Sequence, residues 1–173
     1  MAVIRNARIN LAIRANENLN EGERSIPSRV LIDEAARLSS GNGVGQIDAV
    51  YYERLTGVGA SVKSAFTLTG ALSDRFGNNI DFAEVISITI VNQSDTTGNS
   101  LFLGANDNFG VHSGGLGFWE LAGHRCVIPP GGWVSLYNPD GVPVVASTGD
   151  GLEVETNSAS SGNAFDILIL GRS

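Results

Sequence analysis

Few side chains in this 173-residue chain could do covalent or metal chemistry. There are two histidines, His112 and His124, one cysteine, Cys126, and one lysine, Lys63. The histidines stand twelve residues apart with no cysteine cluster beside them. That spacing does not make a zinc site, and both are expected to be surface residues. Cys126 leads the apolar stretch Cys126-Val127-Ile128 and reads as a small buried hydrophobe rather than a catalytic thiol. Lys63 lies in an alternating segment and reads as a solvated side chain. The nucleophile-elbow pattern Gly-x-Ser-x-Gly and the phosphate-loop pattern are both absent. Asp107, Asp140 and Asp150 fall beside Asn or Gly and Asp95 between Ser94 and Thr96, at spacings that match no calcium loop, and turn formation explains them. Glu153 and Glu155 are two apart on one strand face, without an aromatic platform for a sugar, and read as an exposed acidic face. The glycine-rich run at Gly110, Gly114, Gly115 and Gly117 has no basic residue to meet a phosphate and reads as a surface loop. Phe118 and Trp119 close it, as core anchors or as a contact patch. The expectation is a protein with no catalytic residue, no metal and no cofactor.

The elements that hold these residues are short and numerous. Glycine contributes 22 residues, nearly twice its average share of about 7%. Many turns in a chain of this length imply many short strands. Strand signals recur at Ile47–Leu55, Ser61–Leu68, Phe82–Asn92, Leu101–Leu103, Arg125–Ile128, Trp133–Tyr137, Val142–Ser147, Leu152–Thr156 and Phe165–Leu170. Turn residues separate them at Asp74–Asn79, Pro129–Gly132 and Asn138–Gly141. The Pro129–Gly132 turn is expected to join neighbouring strands. Some eight strands spaced this way predict an all-β fold, a β-sandwich or jelly roll. No strand-then-helix alternation supports a parallel α/β sheet.

Residues 3–15 alternate differently. Val3, Ala7, Ile9, Leu11, Ile13 and Ala15 hold the odd positions with Arg5, and Asn6, Arg8, Asn10, Arg14 and Asn16 dominate the even ones. This is the period-two signature of a half-buried strand. Asn16–Ser28 reads as a loop, and residues 29–38 suit either a helix capped by Ser28 or a short strand. Three glycines between Ser39 and Gln46 mark a break. The chain is thus divided into an extended arm, residues 1–37, and a β-sandwich body, residues 38–173.

Charge follows the same division. The net charge is −7, which argues against a nucleic-acid partner. Residues 1–40 carry +1 and residues 41–173 carry −8. No run approaches a transmembrane helix, and Arg5 and Arg8 interrupt the apolar start where a signal peptide would need an unbroken core. A single cysteine offers no intrachain disulfide. The expected setting is a cytoplasm or a particle assembled there, away from membranes.

A set of turn motifs then carries a resemblance. In order they are Leu38-Ser39-Ser40-Gly41-Asn42-Gly43, Gln46-x-Asp48 with Tyr51 and Tyr52, and Leu68-x-Gly70-x-Leu72-x-Asp74-x-Phe76-Gly77. Then come Phe82, Val85, Ile90-x-Asn92 and Leu103-Gly104-Ala105-Asn106. Pro130-Gly131-Gly132, Asn138-Pro139-Asp140, Thr148-Gly149-Asp150-x-Leu152 and Asp166-Ile167-Leu168-Ile169-Leu170-Gly171 complete the series. Over residues 38–173 the chain resembles a family of small structural proteins of tailed bacteriophages. The resemblance implies virion association without catalysis. Phage cement proteins often use sandwich or jelly-roll modules as trimers on the capsid surface, an analogy of fold alone.

The reading is a capsid decoration (cement) protein that binds the major capsid protein as a homotrimer or other symmetric oligomer. A tail, neck or baseplate component, or a receptor- or carbohydrate-binding virion module, is the alternative. The residues expected to bind the partner are Arg5, Arg8, Ile9, Leu11, Ile13 and Arg14, with Arg8 and Arg14 on the polar side of the strand.

Overall fold

The computed structural model describes residues 6–21, 24–104, 125–157 and 162–173. His112, His124, Phe118, Trp119, Asp107 and the glycine-rich run lie outside the described residues, as does Arg5.

β-Branched side chains set the strands of the body. β8 (Glu84–Asn92) contains Val85-Ile86-Ser87-Ile88-Thr89-Ile90-Val91, a run that loses little by the extended conformation and packs well on a pleated surface. It lies in a sheet of order β11-β8-β13-β4, with β11 (Trp133–Pro143), β13 (Asn163–Arg172) and β4 (Ala49–Val58). A second sheet has the order β10-β9-β12-β5, from β10 (Cys126–Ile128), β9 (Leu101–Leu103), β12 (Gly151–Thr156) and β5 (Lys63–Thr67). All pairings within the two sheets are antiparallel.

The inner rows of both sheets meet in one core. Ile88, Ile90, Phe165, Ile167 and Ile169 come from the first sheet, and Phe66, Leu101, Leu103, Leu152 and Val154 from the second. Counting only the eight sandwich strands in chain order, the sheets read 1-8-3-6 and 2-7-4-5. That is the interleaved order of a jelly roll, in which consecutive strands step from one sheet to the other except at the β9–β10 pair. The all-β expectation and the sandwich body are therefore correct.

Details depart from the sequence reading. The Pro129–Gly132 turn, closed by the Gly132 amide donating to the Pro129 carbonyl at 2.9 Å, carries the chain between the sheets rather than between neighbours in one. Asn138–Gly141 does not end a strand. Both flanks pair with β8, and the segment is an irregularity inside β11. A small hairpin, β6 (Thr69–Ser73) and β7 (Asn79–Asp81), is inserted between β5 and β8. Its turn is closed by Asp74, whose carboxylate accepts from the backbone of Phe76 and Asn78 and from the Asn78 amide. Leu72 and Ile80 bury its inner side in the core.

The arm is a ribbon. β1 (Asn6–Glu21) pairs antiparallel with β2 (Arg24–Ser40) along its whole length. Asn16–Glu21 and Arg24–Ser28 are thus strand, not loop, and residues 29–38 are strand, not helix. Long-range pairing overrides the polar composition of Asn16–Ser28. β2 ends in a parallel bridge to β3 (Gln46–Ile47), so one strand runs through residue 37 from ribbon to body.

Candidate docking surface

The ribbon has two unlike faces, and its register defines them. In an antiparallel pair, directly opposed residues share a face. Ala7, Ile9, Leu11, Ile13, Ala15 and Leu19 stand opposite Leu38, Ala36, Glu34, Ile32, Val30 and Ile26. That face is aliphatic along most of its length. The other face pairs Arg8 with Arg37, Asn10 with Ala35, Ala12 with Asp33, Arg14 with Leu31, and Asn16 with Arg29. The structure therefore places Ile9, Leu11 and Ile13 on the apolar face, and Arg8 and Arg14 on the polar one. Sixteen residues at about 3.4 Å each make a ribbon about 50 Å long. Its only sheet partner among the described residues is β3, at Ser39 and Ser40.

The base of the ribbon is firmly built. Leu38, at the foot of the apolar face, is buried with Ile47, Ile86 and Leu170, and Val50 and Leu168 pack against the group. Arg172, 5% exposed, fastens three segments. Its Nε donates to Glu84 Oε2 at 2.5 Å, Nη1 to the Gly43 carbonyl at 2.7 Å and Nη2 to the Asp140 carbonyl at 2.5 Å. A planar guanidinium suits this task, since its donors diverge in fixed directions. Gly141, at φ +83°, leaves the space the guanidinium needs, because a Cβ there would come within 2.6 Å of Nη2. Gly41, at φ +137°, similarly leaves room for the Gln46 side chain, which accepts from the Gly43 amide at 2.8 Å.

The outer face of the β11-β8-β13-β4 sheet continues from this base. Its rows are Tyr137–Ser87–Leu170–Val50, Ser135–Thr89–Leu168–Tyr52 and Trp133–Val91–Asp166–Arg54. Trp133 is 59% exposed, and Tyr52 and Tyr137 are each 40% exposed. Val50, Val91 and Leu168 are half-buried between them. Arg54 grips Asp166 with two hydrogen bonds, at 2.6 and 2.7 Å, and Gln93 and Tyr52 donate to the same carboxylate. The Arg54 hydrogen bonds hold the Asp166 carboxyl below its ordinary range, and the pairing raises the Arg54 guanidinium. Arg75 stands over the Tyr52 ring, 5.8 Å from its centroid.

The opposite outer face differs. Glu153 and Glu155 do share a face, but it is not a bare acidic one. Lys63 pairs with Glu153 at 2.9 Å and Arg125 approaches Glu155 at 4.0 Å. Arg125 also covers the Phe102 ring at 4.1 Å. Lys63 is therefore a paired cation. Cys126 is half-buried against the core. Among the described residues no group of His, Cys, Asp and Glu could hold a metal. Asp150 accepts from Thr69 and so titrates below its ordinary range, and Asn78 does the same for Asp74. Burial, with help from its bond to Glu53, pushes the Tyr51 phenol up.

Sequence reasoning missed Tyr52, Trp133 and Tyr137 as one surface. They come from β4 and β11, the two margins of a sheet whose order no local pattern reveals. The spacing of Trp133 and Tyr137 along one strand was the available signal.

No family model and no curated protein matches the chain. Among solved structures, a chain from work describing Bacillus endospore appendages as a family of disulfide-linked pili is similar. It shares 13% identity at a TM-score of 0.37, covering 78% of this chain and 97% of that one.

Proposed function

We propose that this chain is a non-enzymatic phage capsid decoration protein, binding the outer surface of the capsid shell and stabilising it. Its partner is the major capsid protein, and its place is the virion, assembled in the host cytoplasm. The observation that carries the reading is the polar face of the ribbon. Arg8, Arg14, Arg29 and Arg37 share it with Asn6, Asn10, Asn16, Asn18 and Asn20. Guanidinium and amide groups in a row suit a shell surface of carboxylates and backbone carbonyls, and arginine can bind a carboxylate with two hydrogen bonds. The sequence resemblance to phage structural proteins supports the same reading.

Particles of the encoding phage that lack the protein provide the test. The full chain should bind them at a fixed copy number, visible as added density on the shell. The Arg8→Ala/Arg14→Ala variant should bind more weakly, with a shallower salt dependence. Density at the tail, or full occupancy by a variant lacking residues 1–37, would reject the reading in this form.

A further inference from the structure

Asn42-Gly43 is the only Asn-Gly pair in the chain. It stands in the loop between β2 and β3, at the foot of the ribbon. Such a pair has a chemistry of its own. Glycine presents a backbone nitrogen with no side chain beside it, so that nitrogen can reach the carboxamide carbon of the preceding asparagine. The Asn42 side chain is exposed and makes no hydrogen bond among the described residues. The Gly43 nitrogen is the opposite case. Its N–H donates to Gln46 Oε1 at 2.8 Å. The Gly43 carbonyl accepts from the Gln46 amide at 3.0 Å and from Arg172 Nη1 at 2.7 Å. The Gln46 carboxamide lies against Gly41 and Gly43 together. A Cβ on Gly41 would collide with it, and one on Gly43 would stand 3.1 Å from Oε1. The electrophile is therefore free, and the nucleophile is held.

We propose that Asn42 is a site of spontaneous deamidation and that Gln46 sets its rate. The reaction needs only water. Hydroxide removes the Gly43 amide proton, and the nitrogen bonds to Asn42 Cγ. The Cγ–Nδ2 bond then breaks, and ammonia leaves with a proton taken from water. A cyclic imide remains, and water opens it at either carbonyl. Opening at Cγ gives aspartate. Opening at the backbone carbonyl gives isoaspartate, whose chain runs through Cγ. An acceptor on the Gly43 N–H stabilises the protonated amide, and removal of the proton must break that bond. Gln46 thus slows the first step.

The position gives the modification a structural consequence. Either product adds a negative charge beside the base of the ribbon. Isoaspartate also inserts an extra backbone carbon ahead of Gly43, whose carbonyl is one of the three anchors of Arg172. The lengthened backbone moves Gly43 off its bonds to Gln46 and Arg172, and the foot of the ribbon loosens. The inference does not rest on virion attachment, since it concerns this chain alone.

Ageing the full-length protein in warm, mildly alkaline buffer tests it, with peptide mapping by mass spectrometry at residue 42. The native chain should convert slowly, and the same chain unfolded in urea should convert faster. Gln46→Ala, checked by circular dichroism for the native strand signal, should convert about five- to tenfold faster than native, as expected for loss of one neutral hydrogen bond. Gln46→Glu keeps an acceptor and should stay near the native rate. Adding Gly43→Ala to Gln46→Ala should slow conversion again, because a Cβ crowds the attacking nitrogen. In the aged native protein, hydrogen exchange should speed up at Ser39 and Gly41, whose amides bond to the Gly45 and Ile47 carbonyls. Native protein that converts at the rate seen in urea would overturn the inference, as would Gln46→Ala at the native rate. Gln46→Glu as fast as Gln46→Ala would also overturn it, since the side chain would then only stiffen the loop.

Discussion

In the body, each inner row of one sheet faces an inner row of the other, and aliphatic side chains fill the space between. In the ribbon, two long strands satisfy each other's amides and carbonyls and then stop. The strand chemistry is the same in both regions, alternating apolar and polar positions with β-branched residues. What differs is the second layer. Hydrogen bonding alone leaves a sheet with a water-exposed apolar face, whereas burial against another layer supplies the stabilisation that offsets the ordering of the backbone. The body is thus complete as a single chain. The ribbon shows strand pairing alone.

The sharpest way to probe this contrast is to damage each region in turn. Phe165→Ala, at a fully buried position where both sheets meet, should cost about 3–5 kcal/mol of unfolding free energy, measured by urea denaturation. A smaller change within the measurement's error of wild type would mean that the body core is loosely packed. Next in size is Arg172→Ala. It strands the Gly43 and Asp140 carbonyls and should cost about 2–3 kcal/mol. Hydrogen exchange should speed up first at Ser39 and Gly41, whose amides bond across the base of the ribbon.

Acid should have a milder effect. The folded pKa values of Asp74, Asp150 and Asp166 lie below the ordinary value. Depressed carboxylates contribute stability that is complete above the unfolded pKa of about 3.9 and is lost as pH falls through the lower folded values. Melting temperature should therefore be flat towards neutrality and fall below about pH 4. Asp166→Asn should flatten that acid limb, and an unchanged limb would show that the Arg54 grip contributes little. The smallest effect belongs to removal of residues 1–37. The body should melt within about 4 °C of the full chain at low protein concentration, because Leu38 and its cluster remain. A larger drop would make the ribbon part of the body after all.

The sequence made the body legible and left the ribbon half-read. Runs such as Val85–Val91 and Phe165–Leu170 announce strands locally, and turn clusters at Asp74–Asn79 separate them. Alternation at Asn6–Ala15 announced β1. It could not announce the far half, because Asn16–Ser28 is polar and holds Pro27, and its strand state depends on pairing with residues many positions away. The Glu153–Glu155 face was read from one strand, whereas its neutralisation comes from Lys63 on β5 and from Arg125. The outer aromatic surface failed for the same reason. Strand order decides which residues share a face, and strand order is a property of the whole sheet.

That order also sets a schedule for synthesis. β13 is the last strand of the jelly roll to be made, yet it is an interior strand, seated between β4 and β8. Until it arrives, β4 has no partner in its sheet and β8 has only β11. Pairing of β13 with β4 also spans more than a hundred residues of chain, a non-local contact of the kind that slows folding. A growing chain on the ribosome therefore carries an open, aliphatic-lined half-sandwich until residues 163–172 have emerged. Premature termination anywhere before that point should leave not a smaller jelly roll but an aggregating fragment.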